Sequence, residues 1–427
     1  MCIRDSRWTG KRPYRSTQYY PAQLRERYGE ERDGWINKIF WGDNLQVMSH
    51  LLKEYRGKID LVYIDPPFDS KADYKRKIAL KGIGNTTSDA TSFEEKQYGD
   101  IWTNDEYLQF MYERLMILRE LMSDTASIFV HCDWHKVHHL RCLMDEIFGS
   151  NMFLNEIVWQ RTRAAHSDAT YFGKVHDTIL VYKKGGQAKF NPLYTEHSEA
   201  YLKRFTKEEN GRKYMLVPLH GPGQGVARNF FGKIIAPPAG RCWPVQSKID
   251  ELIAQNRVEL TSNGTPSKKS YLDENNGNPV SDWWDDIVPL NPVASERTDY
   301  PTQKPEQLLE RIVEAATNRG DLVFDCFMGS GTTQSVAMKL GRRFIGADIN
   351  LGAIQTTTKR LINVASELDG QLQEEIKYTG FEVYNVNNYD FFRNPIEAKN
   401  LIIEALEVQP FTQGNVWDGE LDGRMVK

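Results

Sequence analysis

The sequence predicts an α/β protein with a doubly wound, mostly parallel sheet, and three observations carry that reading. Residues 38–189 alternate short apolar runs with stretches of helical periodicity, and residues 301–364 do the same. Between these blocks, residues 190–300 lose the rhythm and become rich in Gly and Pro with scattered aromatics, as an inserted module would. At 427 residues the chain is long enough for one large domain carrying such an insert.

The first block opens with "INKIFWGDN", a short strand and a turn at Gly42-Asp43-Asn44. A helix follows with Leu45, Met48, Leu51 and Leu52 on one face, and then a strand from Ile59 to Ile64. That strand meets Asp65, Pro66, Pro67 and Phe68, and neither proline can donate to a sheet, so it must end there. A second helix carries Leu108, Met111, Leu115, Leu118 and Met122 at helical spacing, and strands at 127–131, 156–160 and 178–183 complete the block. In the second block a helix opens at Pro305, with Leu308, Leu309, Ile312 and Val313 inward. The strand 321–327 then runs into a glycine turn, a helix to Gly341 and the strand 343–348. Residues 1–37 read as an N-terminal extension and 365–427 as an acidic C-terminal one.

Net charge is −4, which says little about partners, but its distribution is uneven. From Tyr201 to Asp250 nine Lys or Arg face three acids, whereas Ala365 to Lys427 holds five basic residues and twelve acids. The five cysteines form no CxxC pair and suit a reducing cytoplasm, and no apolar run reaches the roughly 20 residues of a membrane span. The cluster His131, His135, His138, His139 and Cys142 lacks a completing carboxylate, so a polar helix face outweighs a metal site.

In "VFDCFMGSGTT" Gly329 and Gly331 lie between strand and helix, where the backbone can turn tightly against a ligand. Asp348 ends the following strand, where a carboxylate suits a ribose diol. Gln334 replaces the third glycine of a dinucleotide motif, and Asp325 would repel a pyrophosphate. A cationic, phosphate-free nucleoside would welcome Asp325, and S-adenosylmethionine has that chemistry.

"GDN", "DPPF", "NEIVWQR", "TQKP" and "FMGSGTT", in this order across residues 38–350, resemble the beta group of DNA amino-methyltransferases. The chain is similar to modification subunits of type III restriction-modification systems within that group. The resemblance implies a Rossmann-like methyltransferase fold in which 38–189 is the catalytic half and 301–364 the cofactor half. It makes 190–300 the target-recognition insert. It also implies S-adenosylmethionine held by Asp43, Thr302, Lys304, Asp325, Phe327, Gly329, Ser330, Gly331, Thr332 and Asp348. Asp65, Pro66, Pro67 and Phe68 would act on a flipped base, Asp65 and a backbone carbonyl accepting the two hydrogens of its amine and Phe68 stacking on it. An Asp at the head of this motif points to adenine N6, with cytosine N4 as the alternative. Arg161, Arg163, Lys174, Arg212 and Lys213 are candidate contacts to double-stranded DNA. A homodimer and a restriction subunit served by this chain stay open as partners.

Overall fold

A computed structural model describes residues 6–67 (except 16), 73–79, 92–99, 104–163, 170, 172–291, 294, 296–298, 300, 302–369, 377–387, 409–410, 419–421 and 424–426. Phe68, Tyr171 and most of the acidic tail lie outside this set. The chain divides into two compact units, one of Met1–Asn191 with Ser281–Lys427 and the other of Pro192–Val280.

The larger unit is built on a ten-stranded sheet. Its elements in chain order are β1 (Ala22–Tyr28), β2 (Asn37–Trp41), α1 (Asn44–Tyr55), β3 (Ile59–Ile64), α2 (Asn104–Leu121), β4 (Met122–Cys132), α3 (Val137–Phe148), β5 (Phe153–Gln160) and β6 (His176–Lys183). Then follow β7 (Trp283–Trp284), α4 (Glu306–Ala316), β8 (Leu322–Asp325), α5 (Thr332–Lys339), β9 (Arg343–Asp348), α6 (Leu351–Asp369) and β10 (Phe381–Val386). The spatial order is β1-β10-β2-β9-β8-β3-β4-β6-β5-β7. From β10 to β4 every pairing is parallel, while β1 and β6 join antiparallel at the two flanks.

The physical basis is burial on both faces. Ile59, Leu61, Val62 and Ile64 of β3 and Val323 and Phe324 of β8 are fully buried, each such side chain contributing about 1.5–3 kcal/mol. The helices supply the covering layers through one apolar stripe each. Leu308, Leu309, Ile312 and Val313 of α4 are completely buried, as their spacing predicts, and Val47, Met48 and Leu51 do the same for α1.

Three sequence expectations are altered. The acidic "extension" contributes β10 to the interior of the sheet, between β1 and β2, and α6 runs on to Asp369. Residues 22–28 of the N-terminal "extension" form β1, paired to β10 from Ala22↔Val386 to Tyr28↔Phe381. Trp283 and Trp284 pair with β5 in the large sheet, so the smaller unit ends at Val280 rather than near 300. Pairing with segments distant in the chain places these strands.

The smaller unit holds a four-stranded antiparallel sheet of Lys207–Glu209, Arg212–Pro218, Pro266–Tyr271 and Val258–Leu260. A separate core of Phe230, Trp243, Ile249, Leu252 and Val258 joins its helix Gln246–Ala254 to a hairpin, Arg228–Phe230 with Lys233–Ile235. Among the described residues, no helix is long and apolar enough to cross a membrane.

Candidate active site

Parallel strands carry their C-terminal ends to one edge, and in an open α/β sheet that edge is where ligands bind. Here it gathers carboxylates: Asp43 just after β2, Asp65 just after β3, Asp325 at the end of β8 and Asp348 at the end of β9. They line one cavity of about 540 Å³, within the usual size of a ligand pocket.

The glycine turn shapes one wall. Gly331 takes φ 71°, and a side chain there would collide with Thr357. Gly329 takes φ 53° and packs close beneath Tyr300, whose ring lies 3.2 Å from where a Cβ would be. Asp325 accepts hydrogen bonds from the Phe327 N–H (3.0 Å) and the Thr333 hydroxyl (2.6 Å), so it braces the turn. Burial nevertheless pushes its carboxyl up to about 7. Asp348 accepts from the Gly329 and Asn350 N–H groups, 2.8 Å each, and burial pushes it up to about 6.

A second wall is set by Arg114 of α2, buried among polar partners. It donates to Asp43 (3.0 Å) and Asn44 (2.5 Å) and lies 3.4 Å from the centre of the Phe110 ring, while Asp43 caps α1 through the Leu45 N–H (2.8 Å). Arg114 falls at the spacing of the buried Tyr107, Met111, Leu118 and Leu121, so a cation interrupts the apolar stripe of α2.

At the reactive corner, Pro66 is buried and Asp65 and Pro67 half-buried. Asp65 Oδ2 is paired with the ammonium of Lys304, while Oδ1 is buried without a hydrogen-bond partner. An acceptor in that state stands ready for a donor from a ligand. Beside it runs a buried chain in which the Tyr63 hydroxyl meets His131 Nδ1 at 3.0 Å and His131 Nε2 meets Asp177 Oδ2 at 3.2 Å. The other Asp177 oxygen faces Arg161 Nε at 3.3 Å. Burial works to raise the Asp177 carboxyl, but the His131 hydrogen bond and the charges of His131, Lys304 and Arg161 outweigh it and hold it below its usual value. His131 is thus an interior residue of β4 and not part of a polar helix face; Tyr63, Trp159 and Asp177 join the site from strands whose apolar runs concealed them.

Of the residues expected at the cofactor, Asp43, Thr302, Lys304, Asp325, Phe327, Gly329, Ser330, Thr332 and Asp348 line the cavity, while Gly331 supports the turn from outside the lining. Asp65, Pro66 and Pro67 line it as well; Phe68 lies outside the described residues. Among the expected DNA contacts, Arg161 lines the cavity, Arg163 is exposed, and Lys174 sits 3.1 Å over the Trp134 ring. In the smaller unit Lys213 is exposed, but Arg212 is clamped by Asp273 (2.6 and 2.8 Å) and Glu274 (2.9 Å). Its charge is therefore paired inside the module.

The donor set fits a cationic nucleoside: carboxylates at four strand ends around one cavity and, among the described residues, no phosphate-scale cluster of cations on the turn. Comparison with known proteins agrees with this geometry. Residues 59–359 match the family model for N6/N4 DNA methylases. The type II methyltransferase M.EcaI of Enterobacter cloacae is 30% identical over 386 residues, covering 87% of this chain and 82% of its own. The StyLTI Mod subunit of a Salmonella typhimurium type III restriction-modification enzyme is 29% identical over 328 residues, 71% of this chain and 50% of its own, so this chain spans about half of that subunit. A solved M1.HpyAVI–SAM complex is a remote likeness, with 16% identity and a TM-score of 0.40 over 76% of this chain and 98% of its own. With its motifs at the strand ends of one cavity and a family match across most of its length, the chain belongs to the DNA methylase family.

Proposed function

We propose that this chain transfers a methyl group from S-adenosylmethionine to the exocyclic N6 of an adenine flipped out of duplex DNA. One observation carries the reading: Asp65 presents a buried, unpartnered carboxylate oxygen to the cavity, next to two prolines that offer no competing N–H. A nucleobase amine is a poor nucleophile because its lone pair is conjugated with the ring. Asp65 Oδ1 and the Pro66 carbonyl, by accepting its two hydrogens, would draw the nitrogen toward tetrahedral geometry and free that lone pair. S-adenosylmethionine, when bound, supplies an electrophilic methyl group. Asp348 would hold the ribose and Asp43 the adenine of the cofactor, while the negative field of Asp325 favours its positive charge. Arg161, Arg163, Lys174 and Lys213 would contact DNA phosphates, Arg161 at the mouth of the site.

The choice of adenine rests on Asp at the head of the catalytic motif. Methylated duplex DNA digested to nucleosides should yield N6-methyladenine by mass spectrometry; N4-methylcytosine alone would overturn the assignment. Similarity to a Mod subunit supports a restriction subunit as partner. Co-purification of a second, larger polypeptide from the native host tests this, and size measurement of the isolated chain tests a homodimer.

A further inference from the structure

The hairpin of the smaller unit carries a feature that stability alone does not explain. Its two-residue turn is Phe231-Gly232, with φ 53° and 83°, so both positions are left-handed. Such turns favour Asn-Gly, and a bulky aromatic at the first position is strained. Phe231 recovers little by burial, being 52% exposed, and Ile234 beside it is 72% exposed. The hairpin is braced from beneath. Phe230 is fully buried with its ring 5.2 Å from Trp243, whose indole N–H donates to the Ile235 carbonyl (3.0 Å), and Gln246 bonds both main-chain groups of Asn229. A rigid base thus presents a strained, exposed aromatic tip.

The charges around the tip name its partner. Many cations elsewhere in this unit are neutralised: Lys207 by Glu259, Arg212 and Arg257 by Glu274, Lys269 by Glu209, and Lys248 by Glu251. Among the described residues, Arg228 and Lys233 on the hairpin and Arg241 on the strand Arg241–Cys242 form no ion pair, and Arg228 Nε is buried without a hydrogen-bond partner. The hairpin that carries Phe231 therefore keeps its positive charge. Unpaired cations flanking an exposed ring suit a polyanion with stackable faces, which is a nucleic acid.

We propose that the Phe231 hairpin is an element of the smaller unit that engages duplex DNA, Phe231 entering the base stack or groove while Arg228 and Lys233 hold the flanking phosphates. The proposal deepens the DNA-methylation reading and depends on it. The test compares wild type with Phe231→Asn and with the double variant Arg228→Gln, Lys233→Gln, using labelled duplex across a salt series, thermal melts and S-adenosylmethionine titration. Asn suits the left-handed turn, so Phe231→Asn should melt no lower than wild type, keep cofactor affinity and yet lose about tenfold or more in DNA affinity. The double variant should flatten the salt dependence by about two in log-log slope. Unchanged DNA affinity in both variants, or a changed oligomeric state with DNA binding intact, would overturn the hairpin's role while leaving methylation standing. If the wild type bound cofactor but no DNA at any salt, the functional reading itself would fall with it.

Discussion

Replacing Asp65 by Asn probes the reactive corner more sharply than deletion, because Asn keeps an acceptor. In the structure one Asp65 oxygen is held by Lys304, and an ammonium only donates. The introduced amide must therefore turn its oxygen to Lys304 and its NH2 into the place of Oδ1, where it meets the incoming amine donor to donor. Losing one preorganised electrostatic partner costs about 10²–10³ in kcat, or about 3–4 kcal/mol, and Asp65→Asn should lose at least that. Replacing Lys304 by Met as well removes the constraint, and the amide can present its oxygen to the cavity. A neutral acceptor is roughly half as strong as an ionised one, so the double variant should recover about tenfold over Asp65→Asn. Single-turnover methyl transfer to duplex DNA gives the rates, with cofactor affinity measured separately. A double variant no faster than Asp65→Asn, with cofactor binding intact, would refute the argument that Lys304 orients Asp65.

Cofactor affinity should rise from pH 5 to pH 8, with protons released on binding near pH 6–7, because burial holds Asp348 at about 6 and Asp325 at about 7 and a cation binds best when both are ionised; calorimetry in buffers of different ionisation enthalpy checks this, and a flat profile would refute it. The same raised values mean that the folded protein retains protons the unfolded chain gives up. The cofactor-free protein should accordingly lose stability as pH climbs from about 4 through 7, by as much as about 4 kcal/mol for Asp325, in denaturant melts. Gly331→Val should lower the melting temperature and abolish cofactor binding, since the residue would be strained at φ 71° and strike Thr357; normal binding would show that the turn can relax. Arg212→Ala should leave the DNA salt slope unchanged, in contrast to the Arg228 and Lys233 substitutions, because Asp273 and Glu274 already hold its charge.

Much of the site was legible in the sequence because each part announces itself locally. A double proline must end a strand, and a Gly-x-Gly after an apolar run must turn tightly. Those signals located Asp65, Gly329 and Gly331, the end of the following strand located Asp348, and Asp43 came from the resemblance to the amino-methyltransferases. Tertiary structure alone decided what depends on distant partners. It brought Lys304 onto Asp65 across 239 positions of chain, placed His131 between Tyr63 and Asp177, and set β10 from the acidic tail inside the sheet. It also separated the spent charge of Arg212 from the unpaired charges of Arg228 and Lys233, which composition counts alike. The physical reason is range: backbone conformation responds to a residue's immediate neighbours, whereas ion pairing, burial and strand order are free-energy terms between segments that only the closed fold brings into contact.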